Sequence, residues 1–540
     1  MPPWVSEHIG EIALLIYIFY PLLKRWWDRR KERAERQPSK QADEVKPPAA
    51  TPHTAKPPRA VRQPRAPAPE EQVRKKPTET DFLQAARERV VRLRADTERL
   101  LARVDGDPRL VRLRPVLRDD LLQRVGGLER SLGGTPTLST IIQDMALVEG
   151  LEALLAQLAA MARQRTAGRA AILADADAMA DACYGPILEF ARAQGLNLMT
   201  SQPFAIRGDW DLSIVPRFAS TRVAPLRIPA GFESEVWQWP AIAHEVAHDF
   251  YYSLESIEGD LRTRLSLPSE VAIPMSEREL DPGWLRGLFG AWLPEVFADT
   301  LGTIMVGPAY VETMRRAFQN PGSPQRTAAI FQDGGVIDEH PPARLRLYMA
   351  TRVLHHLGHH EEADVVWERW EADHAGGGLY YLPLGGDWVG LSEESLHTVA
   401  NGMVDVLLQR PWPELDGFQL LAIPGLAYLH AEHAMAQELA LALGHGETVD
   451  GDPRLIIAAA VLAAGAQPTL HDAILEAALR SIRGVGEAQA VAPTPRPRAH
   501  QRSIGGALRR SLRNPNAIQE AVTLSAILGQ DPPSKHPYSR

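Results

Sequence analysis

The spacing of hydrophobic residues predicts helices over most of this 540-residue chain. From Asp81 onward, apolar side chains recur at the period of one helix face. The first such stripe consists of Phe82, Ala86, Val90, Leu93 and Leu100. Clusters of glycine and proline separate further segments of this kind, at 109–125, 138–165 and 168–194. Helical patterning resumes after residue 240 and continues to about residue 485.

The region 204–232 has a different pattern of residue types. Short apolar stretches alternate with proline and glycine there, and they include Ile206, Leu212, Ile214, Val223 and Ile228. Such stretches are typical of short strands joined by turns. The sequence therefore predicts a mainly α protein with a small β element just before residue 240.

An apolar run, Ile9–Leu23, lies near the N-terminus between Trp4 and the pair Trp26–Trp27. Tryptophan is enriched at both interfaces of a membrane, so residues 1–27 are predicted to form a membrane anchor. The run is shorter than the roughly 20 residues of a full span, and a buried or interfacial helix is the alternative. A secretory signal is disfavoured, because no basic residue precedes the run and no small-residue cleavage site follows it.

Basic residues follow this run and none precedes it: Lys24, Arg25, Arg29, Arg30, Lys31 and Arg33. The positive-inside rule therefore predicts a single-pass protein with its N-terminus outside and its body in the cytoplasm. The next segment, 28–80, contains no aromatic residue and many prolines, so we expect a disordered linker. Residues 24–76 carry about nine net positive charges, whereas the body from residue 77 carries about −15. An acidic body argues against a nucleic-acid partner.

The stretch AHEVAH at 243–248 carries candidate chemistry. On a helix, His244 and His248 lie four residues apart and share one face, so both imidazoles could bind one cation. Glu245 lies beside them at the position of a general base. The chain has a single cysteine, Cys183, which excludes a zinc site built on thiolates. A chance pattern on a helix is the alternative interpretation.

A third ligand is predicted in WLPEVFADTLGTIMVGP, residues 292–308. Glu295 and Asp299 lie four residues apart in an otherwise apolar helix, and buried carboxylates are costly unless paired or metal-bound. We expect Glu295 to be the third zinc ligand and Asp299 to orient a ligand histidine through its ring N–H. Two solvent-exposed carboxylates on an amphipathic helix are the alternative.

HExxH followed by ExxAD resembles the gluzincin metallopeptidases, and most of all the membrane-associated group that includes the type I CAAX prenyl proteases. A later EHPPARLR resembles the HPxxxxR of that group. The resemblance covers about 235–350 and implies a zincin-like core in which His340 and Arg346 stabilise the oxyanion. Helix capping and a surface ion pair are the alternative roles. Only one anchor is predicted here, which argues against a membrane-buried, prenylated substrate.

Together these features predict a membrane-tethered zinc metallopeptidase that acts on a peptide or protein substrate. Water would fill the fourth zinc position and Glu245 would take its proton. The alternative is a non-catalytic helical scaffold with a structural zinc site and protein partners on its helical flanks. The predicted domains after the linker are a helical domain at 81–195, a metallopeptidase-like domain at 196–375, a helical region at 376–485 and a mostly flexible tail at 486–540.

A histidine-rich segment, HHLGHHEEAD, follows the HPxxxxR-like motif. Its four histidines, His355, His356, His359 and His360, form two pairs that could bind a second metal. Gly358 interrupts the helix between them and no base occupies the expected position. An exposed, histidine-rich helix end is therefore the favoured interpretation.

Overall fold

A computed structural model describes residues 78–491 apart from short gaps at 167–169, 197, 199–200, 209–211, 217–220, 255, 269–273, 275–279, 320–322, 334–335, 375–377 and 385–386. The predicted anchor 1–27, nearly all of the linker 28–80 and the tail from residue 492 lie outside the described residues. The protein is mainly helical, as predicted.

Sixteen α-helices are present in the described part of the chain. They are α1 Glu79–Asp105, α2 Leu122–Gly133, α3 Leu138–Arg165, α4 Ala170–Gln194, α5 Ile242–Ser253, α6 Ile257–Arg264, α7 Pro282–Ala291, α8 Leu293–Val306, α9 Pro308–Phe318, α10 Pro324–Thr327, α11 Ala343–Leu357, α12 His360–Asp373, α13 Glu393–Gln409, α14 His430–Gly444, α15 Pro453–Ala466 and α16 His471–Val491. Short 3₁₀ or π helices connect several of them.

The first three helices form an N-terminal core. Thr78 begins α1 with a reciprocal cap: its hydroxyl accepts from the backbone N–H of Asp81, and the Asp81 carboxylate accepts from the backbone N–H of Thr78. This cap starts the helix two residues before the predicted position. Ala86, Val90 and Leu93 are buried as the helical period predicts, whereas Phe82 is exposed.

Three strands precede α5: β1 Gln202–Arg207, β2 Ser213–Ile214 and β3 Val223–Ile228. Their order is β1-β3-β2, with β1 parallel and β2 antiparallel to β3. Side chains alternate between the two faces of a strand. Accordingly Phe204 and Ile206 pack into the N-terminal core, while Ala205 packs into the larger main core. The sheet thus lies between the two cores.

Helices α5 and α8 pack against each other in the main core. A short 3₁₀ helix, Val236–Ala241, contains Pro240, and the α-helix that carries the whole AHEVAH segment starts at Ile242. Every side chain of α8 from Glu295 onward is buried. Pro294 lies in its first turn and Gly307, at φ 63°, ends it, as the sequence predicts. Two carboxylates are therefore enclosed in an apolar layer.

Two further antiparallel pairs follow, β4 Gln332–Asp333 with β5 Val336–Ile337, and β6 Leu379–Leu384 with β7 Asp387–Ser392. Among the described residues, α3 is the helix that is long and apolar enough to cross a membrane by length and composition. Part of that helix packs into the N-terminal core through Leu151, Leu154 and Leu158. Core helices of this length meet the same criterion.

Candidate functional site

Helix α5 presents the two histidines of AHEVAH on one face. Their Nε2 atoms lie 3.0 Å apart and the two rings are perpendicular. Both side chains are mostly buried, at 12% exposure for His244 and 14% for His248. Two ring nitrogens facing each other at this distance need a proton or another cation between them.

Helix α8 brings Glu295 to the same point. Its Oε1 lies 3.1 Å from Nε2 of His248, and its Oε2 lies 3.5 Å from Nε2 of His244. Oε2 is buried and accepts no aligned hydrogen bond from the described residues. The guanidinium of Arg346 faces this oxygen, with Nη2 at 3.1 Å, and a metal ion would add a second compensating charge.

His244, His248 and Glu295 form a triangle of ligand atoms, and we call these three residues the metal cluster. The two Nε2 atoms lie 3.0 Å apart, Oε1 of Glu295 lies 3.1 Å from Nε2 of His248, and Oε2 of Glu295 lies 3.5 Å from Nε2 of His244. A tetrahedral zinc ion with bonds of about 2.0–2.1 Å separates its ligand atoms by about 3.3 Å. Two nitrogens and a carboxylate oxygen are also donors that such an ion accepts. The three residues therefore fit a divalent metal in both spacing and chemistry.

Asp299, one turn further along α8, contacts the ring of His244 at Nδ1, the nitrogen that does not face the metal cluster. Its Oδ1 lies 3.0 Å from Nδ1 of His244 and accepts a 2.7 Å hydrogen bond from the Tyr310 hydroxyl. A carboxylate can only accept, so Nδ1 of His244 carries the hydrogen and Nε2 keeps its lone pair toward the metal cluster. In this position Asp299 can orient the ring of His244.

Arg346 lies inside this network with only 10% of its side chain exposed. It donates two hydrogen bonds to Asp299, at 2.7 and 2.8 Å, and its Nη2 lies 3.1 Å from Oε2 of Glu295. Its guanidinium is thus occupied by carboxylates. The oxyanion role of Arg346 stays a prediction, and its contacts are those of a residue that positions Asp299 and Glu295.

The charges around the metal cluster favour a bound cation. Burial alone would raise the pKa of Asp299, but the charge of Arg346 and the contact with His244 hold that pKa at about 2. Burial opposes a charge on His244, yet its hydrogen bonds to Asp299 and Glu295 outweigh burial and raise its pKa to about 10. The cluster therefore attracts a proton when no metal is bound, and a metal would replace that proton.

His340 lies at the open side of the metal cluster, with 52% of its side chain exposed. Its Nε2 is 3.7 Å from Oε1 of Glu295, and its Nδ1 is 2.9 Å from Oδ1 of Asp338. The indole N–H of Trp292, next to α8, donates to the Asp338 carbonyl at 2.9 Å and fixes this segment beside the cluster. His340 can reach a molecule that enters from solvent.

Glu245 points from α5 toward the sheet. Its Oε2 accepts a 2.8 Å hydrogen bond from the backbone N–H of Ile214 in β2. The side chain is 9% exposed, and burial raises the pKa of this carboxyl. Glu245 follows His244 in the sequence, and it does not belong to the metal cluster.

Sequence reasoning did not predict two contributors to the site, Tyr310 and Asp338. Tyr310 is on α9, and its ring lies over Gly302 of α8, where an added Cβ would be 2.9 Å from the ring. A glycine inside an apolar helix is the signal that a ring or backbone approaches closely. Asp338 precedes His340 by two residues, a spacing that allows it to bond both the backbone and the ring of the histidine.

Replacement of Asp299 by asparagine is expected to lower zinc affinity 10- to 100-fold. The amide cannot carry the charge that stabilises Nδ1–H of His244 and pairs with Arg346. Affinity would be measured by competition with a chromogenic chelator. The matched control is Asp373→Asn, which removes a carboxylate that pairs with Arg315 outside the cluster. Equal affinities of the Asp299 variant and the control would contradict the orienting role.

The fold and the site together define a mainly helical protein with a buried His–His–Glu group that could hold a metal ion. No family model, no curated protein and no solved structure matches the chain. The chemistry of the site therefore has to be argued from its own residues.

Proposed function

We propose that the protein is a zinc-dependent metallopeptidase of the gluzincin type, with a zincin-like core formed by the sheet, α5 and α8. The observation that carries this proposal is the convergence of His244, His248 and Glu295 beside a fourth residue, Glu245, that is not part of the ligand triangle. A structural site does not need a further carboxylate beside its two histidines. Catalysis by metal-activated water does need one.

Zinc is the metal that this donor set favours. Two imidazoles and one carboxylate are the protein ligands of many catalytic zinc sites, which leave one position open. When bound there, zinc would polarise a carbonyl oxygen and lower the pKa of a coordinated water to about 7. Asp299 would hold the ring of His244, and Arg346 would hold both Asp299 and Glu295.

Glu245 acts as the general base and then as the acid. It would accept a proton from the attacking water and donate it to the leaving amine. The hydrogen bond from Ile214 fixes one carboxylate oxygen, Oε2, at 2.8 Å and leaves the other for the proton. Burial raises the pKa of this carboxyl, which makes it a better proton acceptor.

A peptide substrate is supported by the position of the sheet. Within the described residues, β2 pairs with β3 on one side and is the edge of its sheet. Ile214 on this edge is the residue that bonds Glu245, so the edge and the base are adjacent. An extended peptide can add to such an edge through the backbone groups that remain, since the N–H of Ile214 is bonded to Glu245. We assign His340, whose ring is 3.7 Å from Glu295 and is held by Asp338, to stabilising the oxyanion.

We further propose that the chain is tethered to a membrane by residues 1–27, with its body on the cytoplasmic side. This part rests on the apolar run, its tryptophans and the basic residues that follow it. It is independent of the metal chemistry, because the residues of the site all lie within 214–346.

Metal removal tests the proposed activity. The full-length chain in detergent is expected to contain zinc and to cleave fluorescently labelled, unfolded β-casein. Dialysis against 1,10-phenanthroline should abolish cleavage, and one equivalent of zinc should restore it. Zinc content is measured by elemental analysis and cleavage by fluorescence. Cleavage that survives complete removal of zinc would contradict the proposal, as would a folded protein purified without chelator that contains no zinc.

A further inference from the structure

A second group of metal-ligating side chains lies where α12 meets α14. His359 immediately precedes α12, Glu362 lies in its first turn, and His433 lies on α14. Ligand atoms of the three residues all lie within 4.8 Å of one another. None of them belongs to the metal cluster around Glu295.

The sequence indicated an exposed, histidine-rich helix end at this position. His359 is instead almost completely buried, at 1% exposure. Gly358, at φ 89°, ends α11 and turns the chain so that the next side chain points inward. Nε2 of His359 lies 3.0 Å from the carbonyl oxygen of Tyr428, which can only accept, so Nε2 carries the hydrogen. Nδ1 then holds a lone pair, and it is buried without a hydrogen-bond partner among the described residues.

His433 brings a ring nitrogen to the carboxylate of Glu362. Its Nε2 lies 3.1 Å from Oε1 of Glu362 and 2.9 Å from the amide nitrogen of Gln437. Its Nδ1 lies 3.3 Å from the hydroxyl of Tyr428 and can accept from it, so that Nε2–H donates to Glu362 when no metal is bound. A metal ion at Nε2 would replace that hydrogen.

We propose that His359, Glu362 and His433 form a second metal site, which binds a divalent ion of the zinc type and has a structural role. Two imidazoles and a carboxylate favour such an ion over calcium or magnesium, which prefer oxygen ligands. Glu362 is 31% exposed, so an ion can enter from solvent. The orphaned lone pair of His359 is the observation that carries the assignment.

The neighbours of the second site indicate what it stabilises. Tyr428, whose carbonyl accepts from His359, donates its own backbone N–H to Ile304 of α8 at 2.7 Å. Its ring packs on Gly307, where an added Cβ would lie 2.2 Å away. A metal bound at the second site would therefore join α12 and α14 next to the end of the helix that carries Glu295.

The test uses the full-length chain with the first site removed by His244→Ala and His248→Ala. This variant, purified without chelator, is expected to retain about one zinc per chain and to bind Co²⁺ with a visible absorption band. Adding Glu362→Gln or His433→Gln should reduce the metal content at least tenfold. Zinc should also raise the Tm of the parent by about 3–5 °C and leave the Tm of these variants unchanged.

The matched control is Glu361→Gln, which changes the exposed neighbour of Glu362 and should keep the metal. Circular dichroism checks that each variant is folded, and glutamine at 433 can still bond Gln437. A folded parent without zinc, or zinc content that Glu362→Gln and His433→Gln leave unchanged, would overturn the second site. Neither result affects the proposed peptidase, whose zinc is measured by its loss on changing His244 and His248.

Discussion

Glu245→Gln is expected to abolish hydrolysis of unfolded β-casein while zinc stays bound. The amide is isosteric with the carboxylate, and its oxygen can still accept the hydrogen bond from Ile214. It cannot accept a proton from water, and general acid–base catalysis by one group contributes about 10²–10⁴ to the rate. We therefore expect kcat to fall by at least about 10³-fold, because the same group acts twice in the proposed reaction.

The measurement combines cleavage kinetics with elemental analysis on the same preparation. Glu258→Gln is the control, because it removes a glutamate that pairs with Arg262 on the next helix and leaves the site intact. Unchanged cleavage by the Glu245 variant would remove this residue from the mechanism. Loss of zinc from the variant would instead place Glu245 among the ligands.

The same variant separates the enzyme from the scaffold alternative. If the zinc site is structural, the wild-type protein binds zinc and shows no zinc-dependent cleavage of casein. The Glu245 variant would then match the wild type in every readout. An enzyme gives two proteins with equal zinc content and different rates.

The parts of the site that could be predicted are those that depend on local geometry. His244 and His248 share a face because helix periodicity is fixed within one turn. Glu295 and Asp299 were found by the same rule and by the cost of placing carboxylates among apolar residues. That a glutamate from a later helix often completes a two-histidine zinc site led to the proposal that α5 and α8 meet.

The parts that depend on chain packing were not predictable. Tyr310 reaches Asp299 only because the turn at Gly307 folds α9 back on α8. His433 approaches His359 across two helices that no spacing relates. His340 and Arg346 were expected to act together, but Arg346 is enclosed by carboxylates and His340 faces solvent. Residue identities alone do not tell on which side of a cluster a charged group will lie.

Glu295→Gln is expected to lower zinc affinity at the first site by more than 100-fold. Structural zinc sites contribute about 10–16 kcal/mol, so one ligand of four is worth about 3 kcal/mol, and every 1.4 kcal/mol is tenfold. The amide keeps the shape of the side chain but loses the charge that faces His248 at 3.1 Å and Arg346 at 3.1 Å. Cleavage of β-casein should fall in parallel at limiting zinc.

A second measurement shows whether the Glu295 variant loses cleavage because it binds zinc more weakly. If Glu295 is a ligand, excess zinc should restore part of the activity of the Glu295 variant but none of the activity of Glu245→Gln. Glu312→Gln is the matched control, since that glutamate is also mostly buried and pairs with Arg315 at 2.8 Å. Wild-type zinc affinity in the Glu295 variant would remove Glu295 from the ligands. Its contacts with Arg346 and the two histidines would then account for a buried carboxylate at this position.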